Sequence, residues 1–266
     1  MFSRILVGYG ETERSADALA LAHRLAEVLG TGLVDPGPVS YETLRRLNAD
    51  DPAGLVVIGS APRALPGTVL PASVGRAVLT PPTGPVAIAP LGFADGAPAR
   101  LHQLGIAYDG SRGADAALEI GTGLAIAAEA RLELLAVAEP RFEVPPAGIE
   151  DGDAGTGLPQ LSPRTRLELA ASKALSRIPP EVGAVEEAVY GIPTRTLLSR
   201  TAALDLMLLG SRGDVGSGRP PGRVCKGLLV GGAGCPLIVA PFARRHEHPW
   251  RSYGSATRLT AGSTLG

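Results

Sequence analysis

Asp109, in the run IAYDGS, stands where a short apolar stretch gives way to an Ala-rich helical pattern. In an open α/β sheet, ligands bind beyond the carboxyl ends of the strands. A carboxylate there could accept a hydrogen bond from a ribose hydroxyl or an adenine amine, or help to hold a divalent ion. Equally, it could serve only to cap the next helix through an Asx turn. The second candidate is the glycine turn GSRGDVGSG, Gly210 to Gly218. Glycines let backbone N–H groups converge on a hollow, and a following helix N-terminus adds partial positive charge, so a phosphate fits there. The turn is neither G-x-x-x-x-G-K-[ST] nor G-x-G-x-x-G, which argues against a phosphate-loop NTPase and a nicotinamide or flavin oxidoreductase.

Other reactive side chains form no constellation. His23, His102, His246 and His248 have no ligand spacing on a firm element. Ser211 lies in GSRG, which is not the G-x-S-x-G nucleophile elbow. Cys225 and Cys235, ten residues apart, make neither a metal pattern nor a disulfide framework, and Cys235 is expected to be buried at a strand start. With no positioned general base, nucleophile or cationic clamp, an enzyme such as a slow ATPase is the weaker expectation.

The composition sets the wider frame. Of 266 residues, 45% are apolar and 19% charged, with a net charge of −1. That is the make-up of a folded domain, with no basic field for nucleic acid and no acidic field for a basic partner. The opening MFSRILVGYG is too short an apolar run for a signal peptide, and no stretch reaches the roughly 18 apolar residues of a membrane helix. The expectation is a cytoplasmic protein without membrane association.

The candidates are positioned by elements that occur in pairs. RILVGYGETERSADALALAHRLAEVLG near the start reads like LGIAYDGSRGADAALEIGTGLAIAAEA from Leu104. LVVIGSAP from Leu55 pairs with LMLLGSRG from Leu206, and TGPVAIAP from Thr83 with GCPLIVAP from Gly234. Gly59 to Pro85 and Gly210 to Pro236 are both separated by 26 positions (85 − 59 and 236 − 210). The continuous apolar runs suit strands covered on both faces, as in a parallel sheet.

The expected fold is therefore α/β: two tandem doubly wound parallel-sheet domains, the first truncated. The second half predicts strands near 103–108, 131–138, 185–190, 205–210 and 236–240, with helices near 113–128, 163–177, 193–202 and 222–231. Tyr9 to Gly59 is 52 positions shorter than Tyr108 to Gly210 (50 against 102). This is about one β-α unit plus a loop, which leaves four strands in the first half. The expected domains are 1–95 and 102–242, joined by a linker over 91–101. The Pro/Gly/acid-rich loop 141–162 is expected to be mobile and the tail 243–266 disordered.

Taken together, IAYDGS, LMLLGSRG and CPLIVAP, with ILVGYGE, LVVIGSAP and GPVAIAP in the first half, resemble the universal stress protein family in its two-domain form. The resemblance covers roughly residues 2–90 and 102–241. It implies the fold of adenine-nucleotide α-hydrolases, a role in stress response, and binding of ATP, with Mg alongside it. The nucleotide-binding branch carries G-x-x-G, nine residues, then G-[ST]. Here Gly210 and Gly213 match, but Arg223-Val224 stand at the final pair, with Gly222 one residue earlier. The first half keeps Gly59 but has Pro62 at the second glycine, Ala72-Ser73 at the final pair, and Gly10 where the family's acid would stand.

The resemblance thus implies a second-domain site of Asp109, Val137 (bordering adenine), Gly210, Gly213, Gly222 and Arg223. Arg223 could block the phosphate position or reach a phosphate itself. It also implies that the last strands, PVAIAP and PLIVAP, pair across a domain or subunit interface, within the chain or in a homodimer. The competing reading is an interaction scaffold whose pockets are both degenerate.

Overall fold

The computed structural model describes residues 2–9, 15–51, 53–71, 84–139, 162–214 and 222–242. Among them the first half contributes β1 (Ile5–Gly8), α1 (Ser15–Leu29), β2 (Leu33–Val34), α2 (Tyr41–Asp50), β3 (Leu55–Ile58) and β4 (Val86–Ile88). A one-turn helix, α3 (Phe93–Gly96), follows. The second half contributes β5 (Gln103–Ala107), α4 (Arg112–Ala128), β6 (Arg131–Ala138), α5 (Pro163–Leu175), β7 (Ala184–Tyr190), α6 (Pro193–Arg200), β8 (Leu206–Asp214), α7 (Arg223–Gly231) and β9 (Leu237–Phe242).

Helix starts follow local chemistry. The hydroxyls of Ser40, Ser111 and Ser162 accept from the backbone N–H of Thr43, Ala114 and Thr165. Each satisfies one of the donors that a helix N-terminus leaves without an internal partner. Pro163 and Pro193 sit in the first turn of their helices, where the missing N–H costs nothing.

All nine strands join one sheet in the order β2-β1-β3-β4-β9-β8-β5-β6-β7. Within each half the pairings are parallel. The halves meet at β4 and β9, which pair antiparallel through Val86↔Val239, Ala87↔Ile238 and Ile88↔Leu237. The strands of the two halves therefore point in opposite directions, and their carboxyl ends lie at opposite edges of the sheet.

The second half places its strands as third-second-first-fourth-fifth, reversing direction at β5, the topological switch point of a doubly wound sheet. The first half reaches β3 directly from β2 through α2, without the helix-strand unit that α5 and β7 supply in the second. The four strands match the shortened spacing of the sequence.

The strands are apolar on both parities because both faces are covered. Leu55, Val56, Val57 and Ile58 are all buried, as are Leu206, Met207, Leu208 and Leu209. One core packs α1 and α4 onto Ile5, Val57, Leu104 and Ile106. The opposite one gathers Leu44, Val56, Ile88, Leu197, Leu209 and Leu228. Each core draws residues from both halves, so each is continuous across the β4–β9 junction.

The expected linker 91–101 is a packed connection with its own helical turn: Phe93 and Leu101 are buried. The structure corrects one sequence expectation. Strand β8 does not end at Gly210. After a register irregularity between Gly210 and Asp214 it regains pairing at Asp214↔Phe242. Residues 211–214 are thus strand, because β9 is long enough to offer them a partner. The expected mobile loop 141–162 lies outside the described residues up to 161, and the expected tail 243–266 lies wholly outside them.

Between β6 and β7, Arg200 at the end of α6 bridges two carboxylates, Glu133 and Glu187. The pKa of Glu187 is raised above the ordinary glutamate value, first by its hydrogen bond to Glu133 and then by desolvation. A carboxyl group whose folded pKa is raised favours the folded state at low pH and loses that advantage as pH rises through the folded pKa. Arg200→Leu removes the cation that opposes the shift. Its deficit in melting temperature against the wild type is expected to be larger at pH 7 than at pH 5. A deficit independent of pH, measured by circular dichroism, contradicts this coupling.

Candidate functional site

A cleft of about 480 Å³ opens at the carboxyl ends of β5, β6 and β8. Its floor is Ala107, Leu135, Val137 and Leu209, its walls are α5 and α6, and its rim carries Asp109, Glu139, Arg166 and Arg223. An apolar floor with a few polar groups at the rim is the usual form of a small-molecule pocket. The position follows from topology: β5 and β8 lead to connections on opposite sides of the sheet, so their ends diverge and leave a crevice.

Of the residues selected from the sequence, Asp109, Val137, Gly210, Gly222 and Arg223 line this cleft. Gly213 belongs to the extension of β8. Asp109 is exposed, and its Oδ1 accepts from the N–H of Ser111 at 3.0 Å. That is an Asx turn, while the helix cap itself is the hydroxyl of Ser111. Val137 is half-buried on β6.

Gly222 caps α7 with extended backbone and no side-chain bond, so the first N–H groups of that helix face the cleft without a side-chain acceptor at the cap. Gly210 has a packing role that does not depend on any ligand. A Cβ there would stand 2.2 Å from the backbone carbon of Gly113 and 2.4 Å from the nitrogen of Ala114. The start of α4 lies directly on β8, backbone against backbone.

Arg223 is 81% exposed, and its guanidinium pairs with Glu139 Oε1 at 2.6 Å. Glu139 immediately follows β6, and the two residues meet across the rim. Sequence reading missed Glu139, although it is a strand-end carboxylate of the same kind as Asp109. It also missed Arg166, on the first turn of α5, whose approach to the rim has no sequence signal. Beneath Asp109, the Tyr108 hydroxyl donates to Asp115 at 3.1 Å, and Arg177 pairs with the same carboxylate at 2.6 Å. Burial first, then the negative charge of Asp115, pushes the Tyr108 phenol up to about 12, so it stays a hydrogen-bond donor.

Burial also pushes the thiols of Cys225 and Cys235 up to about 12, so neither is a thiolate near neutral pH. His23 and His102 are exposed, and among the described residues no group of three or more His, Cys, Asp or Glu could hold a metal ion. No helix among them is long and apolar enough to cross a membrane.

At the corresponding corner of the first half, Leu44 of α2 closes on the end of β1. A Cβ on Gly8, at the end of β1, would stand 2.4 Å from Leu44 of α2, and Leu44 is fully buried. The segment after β3 is pinned down: the Ser60 hydroxyl donates to Ala89 O and accepts from Leu70 N, and Ala61 N donates to Leu70 O. Gly10 and Ala72-Ser73 lie outside the described residues.

Comparison with known proteins agrees with the fold. A universal stress protein from Archaeoglobus fulgidus superposes with a TM-score of 0.61 at 15% identity, covering 90% of this chain and 98% of its own. A putative universal stress protein from Pseudomonas aeruginosa gives 0.56 at 14% identity, over 90% of this chain and 82% of its own. A functionally unknown protein from the same species gives 0.55 at 16% identity, over 90% and 81%. No curated protein matches the chain in sequence. The family model described as the universal stress protein family matches residues 101–241, more than half of the 266 residues, from the start of β5 into β9. The chain belongs to the universal stress protein family.

Proposed function

We propose that the protein is a stress-response regulator that binds ATP or another adenine nucleotide in the cleft of its second half. One observation carries this reading. Asp109, Val137, Gly222 and Arg223, chosen from the sequence, converge on a single cleft at the switch point of the sheet. The half-buried Val137 offers an apolar surface to a base, Asp109 an acceptor for a ribose hydroxyl, and the start of α7 together with Arg166 and Arg223 partial or full positive charge for phosphates. Mg would be held mainly by the phosphate oxygens with Asp109 or Glu139 beside them, as suits an ion that keeps several waters. Among the described residues no general base is positioned for hydrolysis, so binding rather than turnover is the proposed activity.

Domains of 1–95 and 102–242 belong to the same proposal, with β4 and β9 as their seam. The first domain is then a structural partner, its corner occupied by Leu44. A homodimer would have to use a surface other than the last strands, since these already pair with each other. That same pairing favours a second reading, an interaction scaffold that binds no nucleotide.

Calorimetric titration of the full chain with ATP separates the two. Saturable binding below millimolar concentration is expected, and Asp109→Asn should weaken it about tenfold, the order of one charged hydrogen bond. Asn retains the Asx-turn acceptor, so the turn should be kept. Absence of saturable binding at millimolar ATP rejects nucleotide binding and leaves the scaffold. Unchanged affinity in Asp109→Asn removes Asp109 from the nucleotide site.

A further inference from the structure

We propose that Glu139 is an internal stand-in for a ligand phosphate, holding Arg223 across the rim until an anion displaces it. The inference rests on the nucleotide reading and adds how that site selects its ligand. Among the described residues, four charged side chains stand on the rim of the cleft: Asp109, Glu139, Arg166 and Arg223. Arg223 and Glu139 are tied to each other at 2.6 Å, although they lie 84 residues apart in the chain. Among the described residues Arg166 has no ion-pair partner.

Arg223 is the first residue of α7, so its guanidinium and the N–H groups of that helix start share one side of the cleft. An anion arriving there meets a carboxylate already occupying the guanidinium. A bidentate Arg–phosphate contact is stronger and geometrically better matched than a single Arg–carboxylate bond, so a phosphate group can take the place of Glu139. The exposure of Arg223, 81%, keeps the existing pair weak and exchangeable. Arg166, with no ion-pair partner among the described residues, gives the incoming anion a second cation. A ligand with several phosphates can reach both guanidinium groups, whereas a nucleoside reaches neither. The cleft therefore discriminates by phosphate content, with Glu139 setting the threshold.

The test is calorimetric titration of the full-length wild type, Glu139→Gln, Arg223→Ala and the double variant with ATP, tripolyphosphate and adenosine. Glu139→Gln is expected to tighten ATP and tripolyphosphate by roughly two- to fivefold, the upper range of an exposed ion pair, and to leave adenosine unchanged. In the Arg223→Ala background the same substitution should have no effect. Equal ATP affinity in wild type and Glu139→Gln overturns the displacement and leaves nucleotide binding standing. A gain that persists without Arg223 overturns it too, because Glu139 would then act by simple repulsion. Binding of ATP by Glu139→Gln but not by the wild type supports displacement while rejecting a nucleotide-loaded native protein. Failure of every variant to bind ATP or tripolyphosphate overturns both readings.

Discussion

Gly210→Val is expected to lower the melting temperature by about 6–12 °C, corresponding to a loss of about 3 kcal/mol or more for a chain of this size. The cause is geometric. The nearest atoms to a Cβ at 210 are the backbone carbon of Gly113 at 2.2 Å, the nitrogen of Ala114 at 2.4 Å and the oxygen of Gly113 at 2.5 Å. Backbone at the start of a helix cannot rotate away as a side chain can. The whole N-terminal turn of α4 would have to lift from β8, disturbing the core of Ala114, Ala117 and Ile106 beneath it. The reciprocal contact makes the same demand, since a Cβ on Gly113 would stand 2.5 Å from Ser211 O.

Gly210→Ala already places the offending atom and should show most of the effect. Gly232→Ala sets the comparison: its backbone is left-handed (φ 81°), but the nearest atoms to its Cβ are 3.6 Å away on the side chain of Thr68, so its cost is the backbone strain alone, about 1 kcal/mol. Thermal unfolding of the two alanine variants checks this. Equal small losses would show that α4 does not rest on β8 as described.

Asp17→Ala is expected to cost about 3 kcal/mol and to loosen the connection between the halves. Asp17, on α1, is only 3% exposed. Its Oδ2 accepts from Gly92 N and its Oδ1 from Ala94 N, both at 2.9 Å. Each is a charge-assisted bond worth about 1.5–3 kcal/mol, and alanine leaves both amides without an acceptor. These bonds anchor α3, and with it Phe93, against α1 immediately after β4. Asp17→Asn keeps one acceptor oxygen and should cost about half as much.

Amide hydrogen exchange gives the specific readout. Gly92 and Ala94 should lose protection in Asp17→Ala well beyond the change seen in β6. A uniform increase in exchange would mean that Asp17 contributes to global stability without a local anchoring role.

Gly210 shows why motif positions mislead when read one at a time. From the sequence it is a glycine in a phosphate-type turn. In the structure it lines the cleft, but its lack of a side chain is required by α4 whether or not a ligand binds. Gly222 is the better-placed glycine, at the start of α7 with no side-chain cap. Asp109 also serves two ends: one oxygen closes the Asx turn, and the carboxylate still faces the cleft.

The sequence by itself determined the alternation of strands and helices, the parallel pairing within each half and the four-strand count of the first. These follow from local patterns: apolar runs on both parities, capping serines, prolines at helix starts, and equal spacings between paired blocks. It also pointed to one corner of the sheet, because a strand-end acid and a helix-start glycine are local features. Only the tertiary structure decided that β4 and β9 join antiparallel into one nine-stranded sheet with shared cores, since an edge-to-edge pairing leaves no signature in either strand alone. It also decided that β8 continues past Gly210, because that depends on the reach of β9. Above all, it brought Glu139 to Arg223. The two residues are 84 positions apart in the chain, and only the crossover that returns β8 beside β5 brings their charges together on one rim.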